Sequence, residues 1–131
     1  MKKTIKVVGA IIENDQEEIL CALRSTKMNL SNYWEFPGGK VETSETIAQT
    51  IEREIDEELD CTVKFLELYG ENIHEYDNFI IHLYVTKCKL IESTPKAKEH
   101  AALLWLKRKN LFSLNWAPAD VPIIEKLIAE S

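Results

Sequence analysis

The chain has 131 residues, of which 45% are hydrophobic and 29% charged, and its formal net charge is -6. This length and composition predict one globular domain, residues 1–131, with a buried core. The acidic balance disfavours binding to a nucleic-acid polymer, and no apolar run approaches the length of a membrane span.

The cysteines are odd in number and widely spaced: Cys21, Cys61 and Cys88. Because no CxxC pair occurs, neither a zinc site nor a disulfide framework is predicted. Reduced, buried thiols indicate a cytoplasmic location.

The first half of the chain predicts two strands, a loop and a helix. "TIKVVGAIIE" and "EEILCALR" are the strands, with "NDQE" as the turn between them. The loop "STKMNLSN" leads to "YWEFP" and to a Gly-Gly pair. Thr43 or Ser44 is predicted to cap a helix that ends near Leu59.

The second half predicts β structure and a terminal helix. "TVKFLELYGENI" and "FIIHLYVTKCKL" are strands around the turn "HEYDN", and "ALLWL" is a shorter strand. "KRKNLFSL" is predicted to hold a helical turn. "APADVPIIEKLIAE" is predicted as a helix entered through Asp120 and Pro122. Strands on both sides of a central helix predict an α/β layered domain with a mixed sheet.

The central helix has an unusual acidic flank. At about 100° per residue its apolar side chains share one face, which is expected to pack on the sheet: Ile47, Ala48, Ile51, Ile55 and Leu59. Glu54, Glu57 and Glu58 lie together beside that face, at spacings i, i+3 and i+4, so their carboxylates are expected to converge and repel. A Mg²⁺ ion would turn this repulsion into binding. A solvated acidic face is the alternative, and it accounts for Glu52 and Asp56.

The glycine turn before this helix supports a metal or phosphate site. Pro37-Gly38-Gly39 lets the backbone bend so that a carbonyl faces a metal or an amide faces a phosphate. A plain turn is the alternative. Arg53 lies beside the acidic trio, where it either orients a glutamate or forms a surface ion pair of little energy.

The spacing of these residues resembles a known motif. From Gly39 the sequence runs through five residues to Glu45, then seven residues to "REIDEELDC". This resembles the Nudix box, G-x5-E-x7-R-E-U-x-E-E-x-G-U, in which U is a bulky apolar residue. The matching positions are Gly39, Glu45, Arg53, Glu54, Ile55, Glu57 and Glu58. Asp60 departs from the pattern, where the family has a glycine that closes the helix in a left-handed conformation. We expect a small stability cost and an intact site.

The resemblance implies an α/β/α Nudix sandwich with a central mixed sheet. It also implies cleavage of a nucleoside diphosphate linked to another group, with Mg²⁺ as cofactor and Mn²⁺ as an alternative. The metal-binding role then falls on Glu54, Glu57 and Glu58, helped by the Gly38 carbonyl. Gly39, Glu45 and Arg53 would fix the geometry of the loop and helix.

The likeness extends to the MutT-type pyrophosphohydrolases through "ALRS", "WEFPGGKVE", "KEHAALLWL" and "APADVPIIEKL". It implies that Glu99 joins the metal site and that Arg24 contacts the substrate's phosphates. The alternatives are an exposed loop acid and a surface arginine. The branch cuts between the α and β phosphates of a nucleoside triphosphate, and Glu58 or Glu99 would accept the proton from water.

In this branch the start of the last helix faces the base, which places Asp120 there. An ionised aspartate only accepts hydrogen bonds, which suits the exocyclic amine of cytosine. With the likeness to CTP pyrophosphohydrolases, this favours cytidine-type triphosphates: CTP, dCTP and 5-methyl-dCTP. The alternatives are 8-oxo-dGTP as substrate and a helix N-cap role for the aspartate. The side chains expected to stack on the base or face it are Tyr33, Trp34, Glu35 and Phe36.

Two other classes of function remain open at this point. One is a nucleotide-binding Nudix domain without catalysis, against which the intact box glutamates argue. The other is an acidic module that uses the helix as a protein-binding face. ADP-ribose, dinucleoside polyphosphates and isoprenoid diphosphates are further substrate alternatives. The expected partners are therefore a nucleoside triphosphate, with no nucleic-acid polymer and no membrane, and the chain is expected to be a monomer or a homodimer.

Overall fold

The computed structural model describes residues 2–92 and 94–130. Seven strands, two α-helices and two 3₁₀ turns follow one another. In chain order they are β1 (Lys3–Ile12), β2 (Glu18–Leu23), β3 (Trp34–Glu35), β4 (Gly38–Lys40), α1 (Ile47–Leu59), β5 (Thr62–Glu75), β6 (Phe79–Glu92), β7 (Ala102–Lys107), a 3₁₀ turn (Arg108–Ser113), a second 3₁₀ turn (Pro118–Asp120) and α2 (Val121–Ala129).

The strands form two sheets. The larger has the order β4-β1-β6-β5, with β1 parallel to β6 and the other neighbours antiparallel. It is the predicted mixed sheet. The smaller is antiparallel, with the order β3-β2-β7, so the end of β2 lies between the segment before the glycine turn and the start of β7.

Two hydrophobic cores lie on opposite faces of β1, because successive side chains of a strand point to opposite faces of its sheet. The core under α1 contains Val8, Ala10, Ile12, Ile51, Ile55 and Leu59. The core under α2 contains Ile11, Phe36, Leu83, Ile123, Ile124 and Leu127. The predicted apolar face of α1 is confirmed, since Ile51, Ile55 and Leu59 are fully buried. Their burial holds the glutamates beside them at the edge of the sheet.

Helix α1 begins later than predicted. Its N-cap is Thr46, whose hydroxyl accepts from the Gln49 N–H at 3.1 Å, while the Gln49 side chain accepts from the Thr46 N–H at 2.9 Å. The prediction of Thr43 or Ser44 as the cap was wrong. Ser44 has a φ of 76°, whereas an N-cap needs extended backbone, and only Thr46 has the partner three residues on that completes a capping box.

Helix α1 ends as predicted, at Asp60 in the left-handed conformation, with φ 53° and ψ 41°. Its N–H donates to the Asp56 carbonyl at 3.1 Å, so the turn closes without glycine.

Within residues 2–92 and 94–130, neither helix is long and apolar enough to cross a membrane.

Candidate active site

A cavity of about 340 Å³ lies between the end of α1, the glycine turn and the start of α2. We call its two groups of lining residues the glutamate end, Gly38, Gly39 and Glu58, and the aspartate end, Glu35, Phe36, Tyr76, Phe79 and Asp120. The volume is at the lower limit for pockets that take small organic ligands.

Glu58 carries the chemistry at the glutamate end. Burial is the main cause that raises the pKa of Glu58 to about 7; nearby Glu54 and Glu35 also raise this pKa, while His100 and the Gly38 N–H lower it. One carboxylate oxygen, Oε1, is buried and has no hydrogen-bond partner. Such an atom costs free energy unless a ligand satisfies it, and a carboxyl with this pKa can exchange a proton near neutral pH.

Glu54 packs directly against the glycine turn. A Cβ on Gly39 would lie only 2.1 Å from the Glu54 Oε2, so no other residue fits at this position without moving the carboxylate. Burial is also the main cause that raises the pKa of Glu54. The absence of a side chain at this glycine therefore brings a carboxylate next to the backbone of β4.

Arg53 holds the loop and the helix together. Its Nε and Nη2 donate to the two carboxylate oxygens of Glu45 at 2.7 and 2.9 Å. These hydrogen bonds lower the pKa of Glu45 to about 2. Arg53 Nη1 lies 3.2 Å from Glu57 and 3.5 Å from Glu54. This is the geometry on which the expected structural role of Arg53 and Glu45 depends.

The expected convergence of all three glutamates is not found. Glu57 is 58% exposed beside Arg53, whereas Glu54 is 14% exposed and Glu58 turns into the protein. In the part of the chain that the structure describes, no three His, Cys, Asp or Glu side chains are grouped closely enough to hold a metal ion. Arg53 draws Glu57 outward, which offsets the mutual repulsion of the carboxylates.

Glu99 does not join this group either. It is exposed and lines a separate shallow depression with Lys98 and the loop from Ser25 to Met28. Its predicted role as a metal ligand and proton acceptor stays a prediction.

The glutamate end nevertheless fits a hard divalent cation. Its donors are carboxylate oxygens, which Mg²⁺ and Mn²⁺ prefer, and the unpartnered Glu58 Oε1 is an available ligand atom. Glu54 and Glu58 are one helical turn apart and both lie against β4.

Asp120 dominates the aspartate end. Its Oδ2 accepts from the Phe36 N–H at 3.1 Å, and although Asp120 stands at the N-cap position of α2, its side chain makes no capping hydrogen bond to that helix. Burial first, and then nearby Glu35, raise the pKa of Asp120 to about 8. The sequence predicts an ionised aspartate, whereas burial favours the protonated form of this carboxyl, which can both donate and accept.

The β5–β6 hairpin fixes the turn that carries Asp120. Asn72 donates to the Ala119 carbonyl at 2.9 Å, and the Ala119 N–H donates to the Tyr76 hydroxyl at 3.1 Å. The Tyr76 ring also lines the cavity, with the Phe79 ring 5.1 Å away. Neither aromatic residue was predicted to belong to the site, because "HEYDN" was interpreted only as a turn. The aromatic residues on either side of that turn were the available signal.

Glu35 lies between two cationic or hydrogen-donating side chains. Arg24 Nη1 donates to Glu35 Oε1 at 2.6 Å, and His100 Nε2 lies 2.8 Å from Glu35 Oε2. Arg24 also donates to the Asn29 carbonyl at 2.5 Å. Arg24 lines the cavity as a phosphate ligand would, but these bonds direct it toward Glu35, and phosphate contact stays a prediction. The sequence analysis did not single out His100, although it follows Glu99.

The aromatic residues predicted to stack on a base separate into two sets. Phe36 lines the cavity, and its ring lies 5.4 Å from that of Trp116. Tyr33 and Trp34 do not line it. The Trp34 backbone pairs with Asn115 and Ala117, and its side chain packs on the core under α2. Trp34 is therefore drawn into the core rather than toward a ligand.

Comparison with known proteins agrees with this architecture. The NUDIX domain family model matches residues 3–127. The chain is 38% identical over 127 residues to the CTP pyrophosphohydrolase of Escherichia coli (strain K12), which covers 97% of this chain and 93% of that protein. It is 31% identical over 125 residues to the 8-oxo-dGTP diphosphatase of the same organism, with coverage of 95% and 97%.

Solved structures show the same fold. The solution structure of the E. coli ORF135 protein has a TM-score of 0.82 at 37% identity and covers 98% of this chain and 91% of that one. The solution NMR structure of the DNA mismatch repair protein MutT (family Nudix hydrolase) from methicillin-resistant Staphylococcus aureus 252 has a TM-score of 0.81 at 47% identity. The two chains match over their full lengths.

Nudix hydrolases generally use divalent metal ions, which agrees with the carboxylates at the glutamate end. Membership of one family explains three findings together: the box residues at their required spacing, the α/β sandwich and the match over residues 3–127. This chain belongs to the Nudix family and is a Nudix hydrolase.

Proposed function

We propose that this protein is a Mg²⁺-dependent nucleoside triphosphate pyrophosphohydrolase, which releases a nucleoside monophosphate and pyrophosphate and favours cytidine-type triphosphates. The observation that carries the proposal is the continuity of one cavity from Glu58 and the glycine turn to Asp120, Tyr76 and Phe79. Carboxylates beside a glycine turn suit metal-bound phosphates. Aromatic rings beside a polar group suit a base.

At the glutamate end, Glu54 and Glu58 would hold the cation, with the Gly38 carbonyl, Glu57 and Glu99 as the further ligands that the family motif implies. A bound divalent cation neutralises phosphate charge and lowers the pKa of water. Glu58 has a pKa of about 7, which suits a group that accepts a proton from the attacking water. Mn²⁺ is the alternative cofactor, because it takes the same oxygen ligands.

At the aspartate end, Phe36, Tyr76 and Phe79 would enclose the base while Asp120 and Glu35 contact its polar edge. When ionised, Asp120 accepts from the N4 amine of cytosine, whereas uracil presents a carbonyl at that place. The relative named CTP pyrophosphohydrolase, at 38% identity, supports this assignment.

An 8-oxo-dGTP diphosphatase is the second candidate, and one observation favours it. Because burial raises the pKa of Asp120 to about 8, its carboxyl at neutral pH has one donor and acceptor capacity. An 8-oxopurine presents an N7–H donor beside the O6 acceptor, which such a carboxyl can match. The relative at 31% identity has this name.

The test is a kcat/KM panel with the purified protein and Mg²⁺, Mn²⁺ or a chelator. The substrates are CTP, dCTP, 5-methyl-dCTP, UTP and 8-oxo-dGTP, and the products are pyrophosphate and the monophosphate. We expect CTP or a related cytidine triphosphate to lead and the chelator to abolish turnover. Release of no pyrophosphate from any triphosphate would contradict the proposal, and calorimetric binding of CTP without turnover would then identify a non-catalytic domain.

We also propose that the protein acts in the cytoplasm. Cys21, Cys61 and Cys88 are free and buried, and burial raises the pKa of each thiol. Protonated, buried thiols suit a reducing compartment.

A further inference from the structure

We propose that His100 is a positioning residue for base selection: it lies outside the cavity lining and holds the carboxylate of Glu35, which does line the cavity. The inference deepens the proposed function and rests on it, because it takes Glu35 as a contact of the base. His100 itself does not line the cavity, and its side chain is only 1% exposed.

The first argument is the clamp around Glu35. His100 occupies one carboxylate oxygen at 2.8 Å, and Arg24 occupies the other at 2.6 Å. A carboxylate bonded at a single oxygen can still rotate about its last torsion, which is broad in glutamate. Two donors on opposite oxygens remove that freedom, so the orientation of Glu35 is set before a ligand arrives.

The second argument is the origin of the three residues. Glu35 is in β3, Arg24 directly follows β2, and His100 precedes β7. Each residue therefore lies in, or close to the end of, a different strand of the smaller sheet. Glu35 pairs with Ala22, and the Ala101 N–H donates to the Leu23 carbonyl at 2.8 Å. The end of β2 therefore pairs with the backbone of Glu35 on one side and accepts a hydrogen bond from the backbone beside His100 on the other side. The clamp is built on the sheet and not on a loop alone.

The third argument is the state of the imidazole. A carboxylate only accepts hydrogen bonds, so His100 must carry a proton on Nε2. Its Nδ1 is buried and has no hydrogen-bond partner. A buried polar atom without a partner costs about 1–3 kcal/mol, which an apolar residue would avoid. Packing alone therefore does not account for a histidine here, whereas a donor at Nε2 for Glu35 does.

A matched pair of variants separates the two ring nitrogens. The Gln side-chain nitrogen is four bonds from Cα, as is His Nε2, and the Asn nitrogen is three bonds away, as is His Nδ1. We expect His100→Gln to keep the CTP:UTP ratio of kcat/KM within about threefold of wild type. We expect His100→Asn to reduce the ratio at least about tenfold, mainly through KM for CTP.

A purely structural role would give a different pattern. Both variants would then melt at lower temperature while the CTP:UTP ratio stayed at the wild-type value, and that result would overturn the proposal. Equal ratios in the Gln and Asn variants would overturn it as well. The proposal also fails if Glu35→Ala leaves the ratio unchanged, because Glu35 then does not select the base.

A spectrum of the imidazole tests the contact without any substrate. In the full-length wild-type chain, ¹H–¹⁵N spectra should show His100 protonated at Nε2, and Glu35→Ala should shift that resonance. Protonation at Nδ1 alone would overturn the inference. If the wild-type protein hydrolyses no triphosphate, the proposed function fails, while this spectrum still decides whether the clamp exists.

Discussion

The two ends of the cavity are constructed differently. The glutamate end belongs to one stretch of chain, residues 38–58, in which Arg53 lies beside the partly buried Glu45 and Glu54 and the exposed Glu57. The aspartate end combines side chains from β3, the β5–β6 hairpin and the turn before α2. Asp120 is buried there, which favours its protonated form, whereas Glu35 is partly buried and is held by Arg24 and His100.

This difference separates two tasks. The exposed Glu57 and its ion pair with Arg53 can rearrange around a cation at small cost, because exposed ion pairs contribute about 0–1 kcal/mol. Buried groups held by hydrogen bonds from neighbouring strands cannot rearrange so easily, and a mismatched partner leaves a polar atom unpaired. We therefore expect changes at the glutamate end to alter the rate for every substrate, and changes at the aspartate end to alter the ranking of substrates.

The largest effect is expected from Glu58→Gln, which removes a charge and a proton acceptor with little change in shape. Turnover should fall at least about 10²-fold for all triphosphates alike. Folding should survive, because the substitution removes a carboxylate whose oxygen is buried without a partner. Steady-state kinetics and thermal melting check both expectations.

Asp56→Asn is the control, because it removes one charge from an exposed position of the same helix. Near-normal turnover of the Gln variant would show that Glu58 takes no part in the chemistry. If Glu58→Gln changed the ranking of substrates, the glutamate end would also take part in substrate selection, and the two ends would not have separate tasks.

Asp120→Asn should change the ranking and leave the rate for the best substrate closer to normal. An amide and a protonated carboxyl both donate and accept, so the variant should resemble wild type near pH 6.5. At pH 8.5 the wild-type carboxyl ionises, and the CTP:UTP ratio of kcat/KM should be about tenfold higher for wild type than for the variant. The 8-oxo-dGTP:CTP ratio should be higher for the variant. Equal rankings at both pH values would place base recognition elsewhere in the cavity.

Stability should depend on pH through the same residue. Burial raises the pKa of Asp120 from about 4 in the unfolded chain to about 8. Between these values the unfolded chain has released the proton and the folded protein keeps it, so rising pH favours unfolding. The groups that face this carboxyl are Glu35, Arg24 and Tyr76.

We therefore expect the free energy of unfolding of the metal-free protein to fall between pH 5 and pH 8. It should fall less in Asp120→Asn, which is neutral at every pH. Urea unfolding at the two pH values measures the difference, and the titration of Glu58 is common to both proteins. Parallel pH profiles would show that this carboxyl is ionised in the fold.

Tyr76→Phe should have a smaller effect on selection. It keeps the ring in the cavity but removes the hydroxyl that accepts from the Ala119 N–H. Loss of that bond should cost about 1–2 kcal/mol of stability and loosen the turn that carries Asp120. The CTP:UTP ratio should then fall a few-fold. Tyr84→Phe is the control, because its ring stacks on His82 rather than lining the cavity. Equal ratios in the two variants would remove Tyr76 from the positioning of Asp120.

The same difference in construction explains what the sequence could reveal. The box is local, so helical periodicity was sufficient to predict the apolar face of α1 with Glu54 and Glu58 beside it, and the resemblance to the Nudix box implied the left-handed helix end at Asp60. The cap at Thr46 was missed because several Thr and Ser residues precede the helix and only the fold selects one. His100 could not be assigned, because strand pairing brings it to Glu35 from a distant segment, and although Tyr76 and Phe79 flank one turn, only the fold shows that they line the same cavity as Asp120. The protonated state of Asp120 depends on burial, which no local pattern gives.

The smallest effect is expected from Asp60→Gly, at the departure from the box. Asp60 holds the left-handed conformation, and its carboxylate lies at the negative end of the α1 dipole, so both the backbone and the charge disfavour it. Its ion pair with Lys96 is long, at 4.0 Å, and exposed, so it offsets little. Glycine should relieve both effects but lose more backbone entropy on folding, which leaves a gain below about 1 kcal/mol.

Asp60→Asn separates the causes, because it removes the charge and keeps a residue that tolerates this conformation. If charge dominates, the Asn and Gly variants should melt at the same raised temperature. If the backbone dominates, Gly should exceed Asn. A lower melting temperature for both would show that the Asp60 side chain stabilises the end of α1, and turnover unchanged in all three proteins would show that the glutamate end does not depend on how the helix closes.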